Sequence, residues 1–303
     1  MCPKFYSDNN ICLNQKVMKR QFLKPFISAG LILVFSGFCS CVLAQNTGSA
    51  VKLAYKYPAD KVVRYLTSST MVQVMDVQGQ TMQTDVNSAF GCSVKSAGSV
   101  DNNLKLEIAI DTIGQTSNSP MGNSGGAVQG IKGKSCILVI TPDGKVADMS
   151  GAAGLTYSIE GSGETNLSQT LGDFFPRLPE KPVKTGDTWN LTDSVLTVST
   201  TMTMKTVDLS VNKVEGFETV NGIECAKISQ QHTGTMTMTI QNQGMDIFIK
   251  GPYTGTSEYL FAVKEGYFVK LTSATKLKGN LEISSMGMEM PIGMEMKAVT
   301  EMK

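Results

Sequence analysis

Thr235-Met236-Thr237-Met238-Thr239-Ile240 decides the fold class, because every second residue is apolar and every other one is threonine. On an extended chain successive side chains point to opposite faces, so Met236, Met238 and Ile240 share one face and the threonines the other. Strict period-two alternation of this kind marks a half-buried antiparallel strand. Working outward, Leu104, Leu106, Ile108 and Ile110 alternate with Lys105, Glu107 and Ala109. Leu196, Val198, Met202 and Met204 read as one apolar face, and Val207, Leu209 and Val211 as another inward-facing set.

Turn chemistry separates these runs. Asn221-Gly222 is the strongest hairpin signal, since both residues tolerate positive φ. Pro142-Asp143-Gly144 closes the run that ends at Ile140, and Gln78-Gly79, Gln243-Gly244 and Glu265-Gly266 are weaker turns. Helical periodicity is confined to residues 166–175. There Asn166 caps, Leu167, Leu171, Phe174 and Phe175 form a stripe, and Pro176 ends it. Residues 118–130, rich in Gly, Ser and Asn, read as a mobile loop. Residues 176–187, with three prolines, read as an ordered connection, either a domain boundary or a crossover within one sheet.

The expected fold is therefore mainly β: a curved antiparallel sheet or incomplete β-barrel of ten to twelve strands with one short helix. A sheet of that length must curl or split into layers to bury its apolar face. The helix is expected on the concave side or across one end. Residues 70–84, 235–249 and 281–296 are each a Met/Thr-rich hairpin, so residues 45–303 form two similar halves meeting near 176–187 or share only common hairpin composition.

Residues 1–44 read as a leader and signal peptide. Lys19, Arg20 and Lys24 are its basic region, residues 26–38 its uncharged apolar region, and Ala44-Gln45 its cleavage point. Translation starts at Met1 or Met18. An uncleaved membrane anchor and lipidation of Cys41 are the alternatives to plain cleavage. Removing 44 of the 303 residues leaves 259, and removing five positive and one negative charge from 27 and 26 leaves 22 against 25, a net of −3. That balance argues against nucleic acid and other polyanions as partners. Cys92, Cys136 and Cys225 remain, either as one disulfide with a free thiol, in any of three pairings, or as buried reduced thiols. None has metal-ligand spacing, and no cofactor is implied.

Gly122-Asn123-Ser124-Gly125-Gly126 satisfies G-x-S-x-G, but the single histidine, His232, follows it, which excludes the chymotrypsin order. The α/β-hydrolase order would suit, yet the chain lacks the strand–turn–helix that its nucleophile elbow requires. Ser124 is thus read as part of a polar loop, His232 as a solvated or hydrogen-bonded residue near a strand start, and the protein as not an enzyme. No spacing among the acidic residues marks an acid/base pair, and Trp189 reads as a core anchor. The pairs Met202/Met204, Met236/Met238 and Met288/Met290 fit three roles: core packing, the lining of an adaptable apolar site, or a Cu(I) thioether array.

Tyr55-Lys56-Tyr57-Pro58, Thr141-Pro142-Asp143-Gly144-Lys145-Val146, Phe174-Phe175-Pro176-Arg177-Leu178-Pro179 through Trp189, and residues 286–290, in that order, resemble a family of exported bacterial proteins of unknown function. Residues 255–270 are similar to hairpins of periplasmic lipoprotein-carrier folds, whose curved sheets cradle acyl chains. The first resemblance carries no activity and the second is a likeness of fold. The expectation is a non-enzymatic cell-envelope protein, periplasmic, outer-membrane associated or secreted, with no span after cleavage. Its partner would be an apolar or acyl-chain ligand lined by the six methionines. The alternatives are an interaction module with a solid core and, less favoured, Cu(I) binding.

Overall fold

The computed structural model describes residues 49–303 apart from 78, 121, 129, 160–162, 199–201 and 243–244. The leader, with Cys41, Ala44 and Gln45, and the Gln243-Gly244 turn lie outside the described residues.

Three long strands open the chain: β1 (Val62–Val77), β2 (Gln80–Val100) and β3 (Asn103–Ser119). The shorter β4 (Gly122–Ala127), β5 (Ser135–Ile140) and β6 (Val146–Asp148) follow. A one-turn helix α1 (Ser150–Ala153), the small hairpin β7 (Thr156–Ile159) and β8 (Gly163–Asn166), and α2 (Leu167–Leu171) come next. The second run is β9 (Thr188–Val198), β10 (Met202–Val220), β11 (Ile223–Asn242), β12 (Met245–Ala262), β13 (Tyr267–Ile283) and β14 (Met288–Met302). Apart from β7 and β8, the described strands form one 12-stranded sheet in the order β6-β5-β3-β2-β1-β14-β13-β12-β11-β10-β9, with β4 also on β3. Every pairing is antiparallel, and the edges β6 and β9 are not joined. This is the expected curved, unclosed antiparallel sheet.

Asn221 and Gly222 take positive φ (49° and 80°) between directly paired Val220 and Ile223, as a two-residue hairpin demands. Asp101 and Asn102 do the same between Val100 and Asn103, a turn that lacks the glycine signal. These turns mark one end of the sheet, called proximal here. The paired strand ends Val77/Gln80, Asn242/Met245 and Ile283/Met288 all lie at the opposite, distal end, so the three Met/Thr-rich hairpins are neighbours there.

The two ends of the inner face are built differently. The proximal core joins Tyr65, Cys92, Ile110, Leu138, Val214, Ile228, Tyr259 and Phe268, from both flanks of the sheet, around Leu167, Leu171, Phe174 and Phe175. Strands so far apart meet one core only if the sheet wraps around it. Phe174 packs edge-on against Tyr65, Phe90 and Phe268 at 5.5–6.0 Å between ring centroids. Tyr259 donates to the Arg177 carbonyl and Tyr55 to that of Pro176, both at 2.8 Å, which fastens residues 176–187 across the concave side. That segment runs from the β6 edge to the β9 edge, so it is a crossover within one sheet. Each buried aromatic removes roughly 200 Å² from water, on the order of 5 kcal/mol of transfer free energy as an upper bound.

Several expectations are corrected. The helix is shorter than residues 166–175: Asn166 caps it by accepting from the Ser168 N–H at 2.8 Å, but it stops at Leu171 and the two phenylalanines plug the core from the following turn. Residues 118–130 are no free loop, because β4 pairs with β3 from Ser119↔Gly122 to Gly114↔Ala127. Of the two readings of the cysteines, the structure bears out buried reduced thiols, since Cys92, Cys136 and Cys225 are free and buried. Burial pushes all three thiols up, Cys225 to about 11.

The largest correction concerns β10. Leu209 and Val211 are 53% exposed, whereas Ser210 and Asn212 between them are 4% and 0% exposed. A β-bulge between Val214 and Gly216 is the reason. Up to Gly216 the hairpin keeps the register that its Asn221-Gly222 turn sets; beyond the bulge it is shifted by one residue, so Ser210, not Val211, faces His232. A one-residue shift exchanges the two faces of a strand. Leu196 and Val198 also face out, at 65% and 61% exposure, opposite to Met202 and Met204.

Candidate functional site

The cross-strand register places all six expected methionines on the inner face, in three adjacent rows. Met204, Met238, Ile249, Leu281 and Met290 are successive partners across β10 to β14. Met202, Ile240, Ile247, Ile283 and Met288 form the next row toward the tips, and Met236 lies in the row on the proximal side. Ile249, Leu277, Leu281, Met290 and Ile292 are buried and make a second hydrophobic cluster, with Met236, Met238 and Met288 partly exposed beside it. α1 packs on β5 and α2 on α1 and β8, away from this distal half, where the described helical element against β12 is the one-turn 3-10 helix Ser284–Met286. A sheet face is normally buried against a second layer, so a partly exposed apolar face asks for a partner.

A polar row separates this surface from the aromatic core. Asn212, Gln230, Ser257, Ser273, Ala298, Ser69, Ser88 and Gln115 are successive partners across eight strands, β10 to β3. Seven of the eight carry polar side chains, which is why the two apolar clusters do not merge.

His232 stands beside this row in the middle of β11, not near its start. Its Nδ1 lies 3.1 Å from Asp208 Oδ2 and its Nε2 3.1 Å from Ser257 Oγ. Tyr253 donates to the other Asp208 oxygen at 2.7 Å. Tyr253 on β12 reaches Asp208 on β10 by lying over Gly234, where a Cβ would come within 2.7 Å of the tyrosine ring and meet the Val207 carbonyl. Burial opposes ionisation of Asp208, but the hydrogen bonds from His232 and Tyr253 outweigh it and hold the carboxyl below its ordinary value. An ionised Asp208 fixes the tautomer: Nδ1 carries the proton and donates to it, leaving Nε2 to accept from the Ser257 hydroxyl. The His232 and Asp208 side chains keep about a fifth of their surface open, 20% and 22%.

A second charged group fastens the crossover. Arg177 donates to Asp143 at 2.7 Å and 3.1 Å and to Asp193 at 3.1 Å. Burial raises Asp143, yet hydrogen bonds from Thr141 and Arg177 bring it below its ordinary value. Asp173 is pushed up instead, by the atoms packed around it and by the charges of Asp193 and Asp208.

Ser124 faces Ser117 within the β3–β4 ladder, and neither His232 nitrogen is bonded to it. Trp189 is partly buried against the proximal core, as expected of an anchor. Sequence reasoning missed Asp208 and Ser257, which lie 24 and 25 residues from His232. Folding the chain at its hairpin turns and counting back would have brought both near, apart from the bulge. No three His, Cys, Asp or Glu side chains among the described residues converge as metal ligands. No described helix is long and apolar enough to cross a membrane. A cavity of about 720 Å³ opens among Ser68, Thr70, Ala89, Thr112 and Val299, mostly outer-face positions, and no methionine lines it.

No family model matches the chain. No curated protein matches it either. Among solved structures, Pseudomonas aeruginosa OccK2 (OpdF) aligns at 5% identity and a TM-score of 0.26, over 82% of this chain and 99% of that one. A DUF1329 family protein from Desulfovibrio piger aligns at 10% identity and a TM-score of 0.14, over 81% and 85%. Both scores are too low to establish a shared fold.

Proposed function

We propose that this protein binds an apolar ligand, foremost an acyl chain, on the distal half of its inner face, as an exported protein of the cell envelope. The observation that carries the reading is the partly exposed surface of Met204, Met236, Met238 and Met288 around the buried Met290, set apart from the aromatic core by the polar row. Methionine suits such a surface because its unbranched, polarisable side chain adapts to irregular apolar partners. The export assignment rests on the leader-like residues 1–44.

Native mass spectrometry of protein purified from its host envelope tests the reading. A bound lipid-sized adduct, and a rise in melting temperature with fatty acid or phospholipid that is lost in Met236→Ser/Met238→Ser, are the expected results. No adduct and no thermal shift would sink it. A second reading, docking of another envelope protein, is favoured by the openness of the surface, because Met236, Met238 and Met288 stay partly exposed instead of lining an enclosed pocket. Capture of a partner that Met236→Ser/Met238→Ser abolishes, without any lipid adduct, would select it. Cu(I) binding, for which Met204 and Met238 are direct cross-strand partners, requires affinity above that of free methionine in a competition titration.

A further inference from the structure

We infer that Ser257, His232 and Asp208 form a hydrolytic centre for carboxylic acyl esters. The reading of the chain as a non-enzyme rested on Ser124 of the G-x-S-x-G stretch having no usable base, and the structure places a different serine, Ser257, against His232. Three neighbouring strands contribute one member each: Asp208 from β10, His232 from β11 and Ser257 from β12. The order of contacts, carboxylate to Nδ1 and hydroxyl to Nε2, is the one that nucleophile, base and orienting acid require, with both distances at 3.1 Å. Asp208 is a positioning residue, since it touches the imidazole and not the substrate, and Tyr253 holds its second oxygen.

The surroundings suit acyl transfer. Gln230 is the direct cross-strand partner of Ser257, so its amide N–H stands on the same face, next to where a carbonyl oxygen would acquire charge. In the resting structure that amide donates to Ser210 Oγ over a long 3.3 Å, a bond easily exchanged for an oxyanion. Met296 shares a lateral row with His232, and Leu277 lies opposite Tyr253, so the apolar surface begins beside the centre.

The reaction balances with water as the only co-reactant. Ser257 Oγ attacks the ester carbonyl carbon while its proton passes to His232 Nε2. The carbonyl oxygen takes the electron pair and accepts from Gln230. Collapse breaks the bond to the alkoxy group, which leaves with the proton from Nε2 and gives an acyl ester on Ser257. Water then attacks that ester, its proton passing to Nε2 and on to the departing Ser257 oxygen, so that a carboxylic acid is released and the hydroxyl is restored.

A preference for apolar acyl chains rests on the ligand reading above, whereas the chemistry of the centre does not, and the experiment separates them. The full chain is treated with a fluorophosphonate probe, the adduct is mapped by peptide mass spectrometry, and hydrolysis of p-nitrophenyl butyrate and laurate is followed. The expected result is an adduct on Ser257 and butyrate hydrolysis that falls by at least about 100-fold in Ser257→Ala, a nearly isosteric change, and in His232→Gln. Added imidazole should restore part of the activity to His232→Gln but none to Ser257→Ala. No adduct on Ser257 in the unsubstituted protein, or equal hydrolysis by Ser257→Ala, would overturn the proposal. Turnover of butyrate but not laurate would leave the centre standing and overturn the apolar-chain preference.

Discussion

The proximal and distal halves of one inner face are made by the same strands, yet one is finished and the other is open. At the proximal end the crossover, α2 and two phenylalanines fill the concavity, and the rings are fixed by edge-on packing and tyrosine hydrogen bonds. At the distal end the strands run on for several more residue pairs with methionine and isoleucine inward, and Met236, Met238 and Met288 keep part of their surface open. Stiff, shape-defined side chains stand where packing partners are permanent, and flexible ones where they are not. The difference teaches that alternation reports which residues share a face, but not whether that face has a permanent partner.

Substitutions should therefore separate the two halves. Phe261→Ala, in the fully buried proximal core, should lower unfolding free energy by about 3–5 kcal/mol in urea denaturation. A loss below that of a distal methionine would erase the distinction. Gly234→Val, between the halves, should cost about 1–3 kcal/mol, because the new side chain meets the Tyr253 ring and the Val207 carbonyl and displaces Tyr253 from Asp208. Met238→Ala, on the open half, should cost about 1 kcal/mol or less while weakening fatty-acid binding.

Acid should act on the proximal side through Asp143. Its carboxyl is depressed in the folded state, so its contribution is complete above the unfolded value of about 3.9 and is lost as pH falls through the lower folded value. Asp143→Asn should lower the melting temperature at neutral pH, and the gap to the unsubstituted protein should close below about pH 4. A gap that persists in acid would mean that the Arg177 pair contributes nothing through charge. The smallest effect belongs to Asp173, whose carboxyl is raised. Folding then opposes its ionisation at neutral pH, so Asp173→Asn should raise the melting temperature slightly at pH 7 and leave it unchanged below the unfolded value.

The strands, the Asn221-Gly222 hairpin, the common face of the methionines and the Asn166 cap were legible because each depends on neighbours a few residues away. The faces of β10 were not. Val207, Leu209 and Val211 announce an inward side more clearly than Asp208, Ser210 and Asn212, and they point outward all the same. What stabilises the polar alternative is lateral: Tyr253 and His232 on Asp208, and Gln230 on Ser210. Those partners come from other strands, and no local pattern contains them. For the same reason His232 showed no sign of its two companions until the register joined the three strands.

The bulge beside Gly216 makes segment length, more than residue type, the quantity under constraint along β10. A substitution between Glu215 and Val220 changes one side chain. Losing Glu215 would remove the one extra residue and let the ladder run straight from Gly216↔Lys227 to Val214↔Ile228, leaving Asp208 to Val214 on their present faces. Gaining a residue there, with no second bulge to absorb it, would turn the imidazole's carboxylate to the outside and the hydrocarbon inward. This hairpin should thus tolerate the loss of one residue far better than the gain of one.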